Sequence, residues 1–146
     1  MDNSYKWAGG GFLSTSEDLV QFGNAMLYSF QNSNGFLRPD TVKMMWTPVT
    51  NTSLAWDRDG QYGMGWGVVS HQSNHPFCNS RQFYVSHTGG AIGASSVLLI
   101  MPRANCDSMD GKPVHGIVVS MIANLQNVGL NQTALAIAKV FDQVAN

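Results

Sequence analysis

A chain of 146 residues, 44% of them apolar, has the length of one typical domain and enough apolar material to form a core. Eight Lys and Arg against nine Asp and Glu leave a formal charge of −1, without the basic excess that a phosphate backbone demands, so no nucleic-acid partner is expected. Only 12% of residues are charged, so much of the polar surface is uncharged and tolerant of self-association, and no apolar run approaches the roughly 20 residues of a transmembrane segment.

The first residues, Met-Asp-Asn-Ser-Tyr-Lys-Trp, have neither the basic and apolar regions of a signal peptide nor the Arg-rich character of a transit peptide, so any targeting address is expected upstream. After the glycine-rich stretch Trp7–Phe12, Ser14 and Glu17 have capping-box spacing and predict a helix start. Leu19, Phe22, Gly23, Met26, Leu27 and Phe30 then recur on one face of an amphipathic helix near residues 15–30. Gln31–Gly35 is a polar turn. Pro39 suits the first turn of a short helix that carries Val42, Met45 and Trp46 on one side, with Pro48 limiting it.

Asn51–Gly60 loses all periodicity and reads as a loop. Tyr62–Val69 alternates Gly with larger residues, as in a strand whose glycine face admits another backbone or a ligand. Gln82–Ser86, Ser95–Met101 and Ile117–Ile122 are further strand-length runs, so four consecutive strands imply an antiparallel sheet. Leu130, Ala134, Ile137, Ala138 and Phe141 form a helical stripe after Gly129, predicting a closing helix. Helices, then strands, then a helix make the fold α+β, a single partial domain whose exposed sheet edge needs a cover from sequence on its N-terminal side.

The densest chemical cluster is Ser86-His-Thr-Gly-Gly-Ala-Ile-Gly93, read as the end of one strand leading into the next. Gly89 and Gly90 let backbone N–H groups face a developing oxyanion, Thr88 offers a hydroxyl, and His87 a titratable donor. A glycine-rich β-turn with a surface histidine is the plainer alternative. No phosphate-loop or dinucleotide pattern accompanies these glycines, and no cofactor is expected. Cys78 and Cys106 form no CxxC and read as free thiols. His71 and His75 have helical metal-site spacing, but Pro76 follows and the region reads as loop, so no metal is expected. His115 is a loop residue without evident partner. Trp46 and Trp66 are expected in the core, as are Met26, Met44, Met45, Met64, Met101 and Met121. The sequons at Asn51 and Asn131 carry little weight.

Taken in order, Ala8-Gly-Gly-Gly-Phe-Leu-Ser-Thr15, Glu17-Asp-Leu19, Tyr62-Gly-Met-Gly-Trp-Gly67, His87-Thr-Gly-Gly90, Ala94-Ser-Ser96 and Ala123-Asn124 resemble the C-terminal half of the class C β-lactamase and penicillin-binding-protein-like family. Trp7–Thr15, Phe22-Gly-Asn-Ala-Met-Leu-Tyr28, Trp46-Thr-Pro48, Ser86–Ala91, Gly93-Ala-Ser-Ser-Val-Leu-Leu99 and Val128-Gly-Leu-Asn131 resemble in particular its mitochondrial branch in animals. The resemblance spans nearly the whole chain. It implies that His87, Thr88 and Gly89 match the His form of the third active-site motif and bind substrate, and that the Gly90 N–H completes an oxyanion hole. It also implies a serine acyl-enzyme acting on a peptide or amide substrate, and a location in the mitochondrial intermembrane space. The family's nucleophile belongs to Ser-x-x-Lys, and no Ser-x-x-Lys occurs in these residues, so the chain by itself is expected to be one wall of a site whose nucleophile lies in a missing N-terminal half of the same fold. The alternative implied by the same branch is a homo-oligomeric, filament-forming assembly module linked to lipid metabolism, for which the low charge and the Asn51–Gly60 loop are permissive.

Overall fold

The structure, a computed structural model, describes residues 7–71, 82–91, 93–103 and 115–144. Among the described residues four helices and five strands follow in the order α1 (Trp7–Gly10), α2 (Ser16–Gln31), α3 (Pro39–Met45), β1 (Gln61–Tyr62), β2 (Gly67–His71), β3 (Gln82–Ala91), β4 (Ala94–Pro102), β5 (Gly116–Ala123) and α4 (Asn131–Val144). The strands form one antiparallel sheet in sequence order, β1-β2-β3-β4-β5. This is the α+β arrangement expected, with an amphipathic helix before the sheet and a closing helix after it.

Both faces of the sheet are covered. On one, Leu130 and the α4 residues Ala134, Leu135 and Ala138 lie over Val69, Tyr84, Val97, Leu99, Met101 and Val119. On the other, Met26 and Leu27 of α2 join Val42 and Trp46 against Val68, Val85, Leu98 and Ile100. Because alternate β4 side chains enter opposite cores, Val97–Met101 is apolar without interruption, the pattern of a strand buried on both sides. Trp46, Trp66 and Phe83 meet edge-on in the second core, with Phe30 beside them, so the two core tryptophans are where the sequence placed them.

Several expectations are corrected. Tyr62–Val69 is not one strand but a hairpin: Gly63 N–H donates to the Trp66 carbonyl at 2.7 Å and Gly65 takes φ 75°, turning the chain between β1 and β2. The strands among the described residues therefore number five. The cap of α2 is Thr15, not Ser14; its Oγ1 accepts from Asp18 N–H at 3.1 Å and donates to the Asp18 carboxylate at 2.9 Å, while Ser14 turns to the Thr15 carbonyl. Phe141, near the end of α4, is 62% exposed, and Leu135 is in the core instead. Met44 and Met64 are exposed rather than core. The backbone of His115 has a partner after all, the Gln31 side chain, which accepts from His115 N–H at 2.9 Å and donates to its carbonyl at 2.6 Å. Asn131 is buried in the first turn of α4, which closes the second sequon, and Cys78, Cys106 and His75 lie outside the described residues.

Candidate functional site

His87, Thr88, Gly89 and Gly90 lie within β3 rather than in a turn after it. Their partners on β4 are Leu98, Val97, Ser96 and Ser95, and the chain reverses only at Gly93, with φ 84°. On the other side the β2–β3 ladder stops at Gly67↔Ser86. From His87 onward β3 thus has a partner strand on one side only among the described residues, and alternate backbone N–H and C=O groups on its other side face outward. His87, Gly89 and Gly90 are exposed and Thr88 is half-buried. A Cβ at Gly89 would run into Ser96 Oγ, whereas one at Gly90 would meet open space.

Thr88, Gly89 and Gly90 line a cavity of about 300 Å³ together with Trp56, Asn127 and Asn131. Its far wall, the segment before α4, is sewn to β4: Gly93 N–H donates to Gln126 Oε1 at 3.2 Å, Ser95 Oγ donates to the Leu125 carbonyl at 2.8 Å, and Val128 N–H donates to Ser95 Oγ at 3.1 Å. Asn127 holds φ 64° there, a conformation asparagine tolerates. The Asn131 Nδ2 reaches the Tyr84 hydroxyl at 3.5 Å, and its Oδ1 has no hydrogen-bond partner among the described residues although buried. His87 does not line the cavity. It joins it through Trp56, whose ring lies 5.6 Å from the imidazole.

Trp56 and Tyr62 are the residues to which sequence reasoning gave no place in the site, and Ser86 was read only as the start of the cluster. Trp56 Nε1 donates to the buried Ser86 Oγ at 3.1 Å, and Tyr62 is hydrogen-bonded through its hydroxyl to His87 Nε2. Gly67 makes room for this: a Cβ there would fall 2.7 Å from Leu54 and 2.8 Å from Trp56. The glycine face expected to admit a ligand admits the chain's own loop. That loop, Asn51–Gly60, is held to the sheet rather than free, with Leu54 in the core and Asp57 accepting a hydrogen bond from the Tyr84 hydroxyl. Burial first, then the bond to Asp57, raises the Tyr84 phenol well above its ordinary range, so it stays a donor at any physiological pH.

One further cavity lies apart from the quartet. A second cavity of about 260 Å³ between β3, β4 and the end of α4 is lined by Tyr84, Leu135 and Lys139 among others and contains none of the expected site residues. Among the described residues no three His, Cys, Asp or Glu side chains gather as a metal set, and no helix is long and apolar enough to cross a membrane.

A family model described as Beta-lactamase matches residues 1–140. The chain is 54% identical over 155 aligned residues to a human protein named "Serine beta-lactamase-like protein LACTB, mitochondrial", covering 98% of this chain and 28% of that protein. Mouse and bovine proteins of the same name match with the same identity and coverage. The chain therefore spans about 28% of the length of these curated relatives.

Proposed function

We propose, from the premise that this chain belongs to the beta-lactamase family, that it forms the substrate-binding and oxyanion wall of a serine acyl-enzyme site, with His87, Thr88 and Gly89 holding substrate and the Gly90 N–H stabilising the oxyanion. The observation that carries this reading is the half of β3 beyond Ser86: the quartet lies on an open strand edge over a cavity lined by three of its members. An open edge suits an extended peptide or amide, whose backbone pairs with the outward N–H and C=O groups while its side chains fill the cavity. An N–H held by a sheet needs no reorganisation when charge develops on the carbonyl oxygen, the property an oxyanion donor requires. The nucleophile is supplied from outside these 146 residues, since Ser-x-x-Lys is absent from them.

The relatives' names support a mitochondrial location; our reading places the protein in the intermembrane space. A second role, as an oligomeric or filament-forming module connected with lipid metabolism, draws on the exposed apolar side chains Trp7, Phe12 and Leu13, the last of them 98% exposed. Size-exclusion chromatography of the protein with these three side chains made polar tests that role, which an unchanged elution volume would remove.

The site reading is tested by acylation with a fluorescent phosphonate or β-lactam probe. The purified chain is compared with the full-length human relative and with that relative carrying Ala at the position aligned with His87. Labelling of the relative alone, lost on substitution, is expected. A defined labelled Ser within the chain itself would overturn the assignment of the nucleophile to another segment.

A further inference from the structure

The imidazole of His87 is boxed by two aromatic rings, each anchored independently of it. Tyr62 stands edge-on at 5.9 Å and 89°, Trp56 is tilted at 5.6 Å and 59°, and the two rings meet each other at 6.0 Å. Trp56 is tied to β3 itself through Ser86, the residue before His87. Tyr62 is fixed at both backbone groups: its N–H donates to Thr52 Oγ1 at 2.8 Å and its carbonyl accepts from Val49 N–H at 2.8 Å. Thr52 Oγ1 in turn donates to the Val49 carbonyl at 2.6 Å, closing a compact polar clasp around the two-residue strand. The Tyr62 hydroxyl is thereby delivered to His87 Nε2, while His87 Nδ1 has no hydrogen-bond partner among the described residues.

In a neutral imidazole one nitrogen donates and the other accepts, and the hydrogen bond made by one decides which proton the other carries. Between a phenol and a neutral imidazole, the phenol O–H is the stronger acid and the imidazole nitrogen the stronger base, so the better bond runs from oxygen to nitrogen. We propose that Tyr62 is a positioning residue for His87: its hydroxyl donates to Nε2, fixes the neutral ring as the Nδ1–H tautomer, and leaves Nδ1–H as the donor presented to substrate, with Trp56 setting the plane of the ring. The role of that donor rests on the substrate-binding reading of His87; the tautomer does not.

The test is ¹⁵N NMR of the histidine side chains in the protein at mildly alkaline pH, with His87 assigned by its loss in His87→Gln. The expected spectrum has a pyridine-type Nε2 and a pyrrole-type Nδ1. Tyr62→Phe keeps the ring packing and removes the hydroxyl, and it should shift His87 toward the Nε2–H form that a free imidazole prefers. Uniform replacement of tyrosine by 3-fluorotyrosine, which preserves every ring and strengthens the phenol as a donor, should move the Nε2 resonance further from the free pyridine value. A pyrrole-type Nε2 in the unmodified protein, or an Nε2 resonance indifferent to 3-fluorotyrosine, overturns the proposal. The two readings fail separately. Probe labelling lost with His87→Ala beside an unfixed tautomer removes the role of Tyr62 alone, and a fixed tautomer beside labelling that survives His87→Ala removes the substrate-binding role alone.

Discussion

Replacing Tyr84 by Phe deletes one oxygen on the α4 side of β3 and leaves the buried ring where it is. The lost hydroxyl donates to Asp57 and is approached by Asn131 Nδ2 at 3.5 Å. A hydrogen bond to a charged group contributes about 1.5–3 kcal/mol net, and because the Asp57 carboxylate is only half-buried and regains water, the lower figure applies. Tyr84→Phe is therefore expected to cost about 1.5 kcal/mol at neutral pH, or roughly 5 °C in Tm for a chain of this size. The alkaline limb carries the sharper test. The phenol is held above its ordinary value of 10.0 by burial first and by Asp57 second, so above that pH the unfolded chain releases a proton that the folded chain keeps. Stability from this group is complete below about pH 10 and falls as pH rises, by about 1.4 kcal/mol in total at about pH 11. The Phe variant has no such group to lose, so the two proteins converge in stability between neutral pH and about pH 11. Urea unfolding at both pH values measures this. A difference that stays constant, or one below about 0.5 kcal/mol at neutral pH, refutes the account of the Tyr84–Asp57 pair.

Thr15→Ala should destabilise α2 by about 1 kcal/mol in thermal unfolding, while Ser14→Ala stays within about 0.5 kcal/mol, because only Thr15 accepts from a free helical N–H. Gly67→Ala places a methyl 2.8 Å from the Trp56 indole and should cost about 1–3 kcal/mol. The same substitution should shift tryptophan fluorescence as Trp56 leaves Ser86, and an unchanged spectrum would count against the contact. Arg103 Nε donates to Asp142 Oδ1 at 2.6 Å, and a second guanidinium nitrogen donates to the Asp142 carbonyl, with both side chains about a fifth exposed. Arg103→Ala should cost about 1–2 kcal/mol after allowance for that exposure, with faster amide exchange confined to the last turn of α4. Exchange unchanged at residues 140–144 would show that the pair does not hold that turn.

Helices α2, α3 and α4 and strands β4 and β5 were legible because each announces itself within its own residues, by a 3.6-residue apolar stripe, a proline at a first turn, or a strand-length run rich in β-branched and aliphatic residues. The hairpin at Gly63–Trp66 was not. Alternation of glycine with larger residues reads the same whether the chain runs straight or turns back, and the turn depends on Gly65 adopting a left-handed conformation. Neighbouring Ser14 and Thr15 are both competent caps, and which one serves is set by where packing starts the helix. Phe141 fits the stripe of α4 as read from its sequence, but the face turned to the sheet runs through Leu135, Ala138 and Asp142, the last held there by Arg103, a partner 39 residues away.

The same division runs through the site. His87, Thr88, Gly89 and Gly90 were visible as a motif because their residue types are unusual together and contiguous, and the ordered blocks around them carried the family resemblance. Position 62 was visible only as part of a block, and Trp56 lay within the loop Asn51–Gly60 with no place in the site assigned to it. Their meeting with His87 spans 25 residues in one case and follows from the β1–β2 hairpin, the missing side chain at Gly67 and the end of the β2–β3 ladder. Local chain statistics govern the first kind of feature, whereas the second exists only once strands have chosen partners and register, which is a property of the folded sheet as a whole.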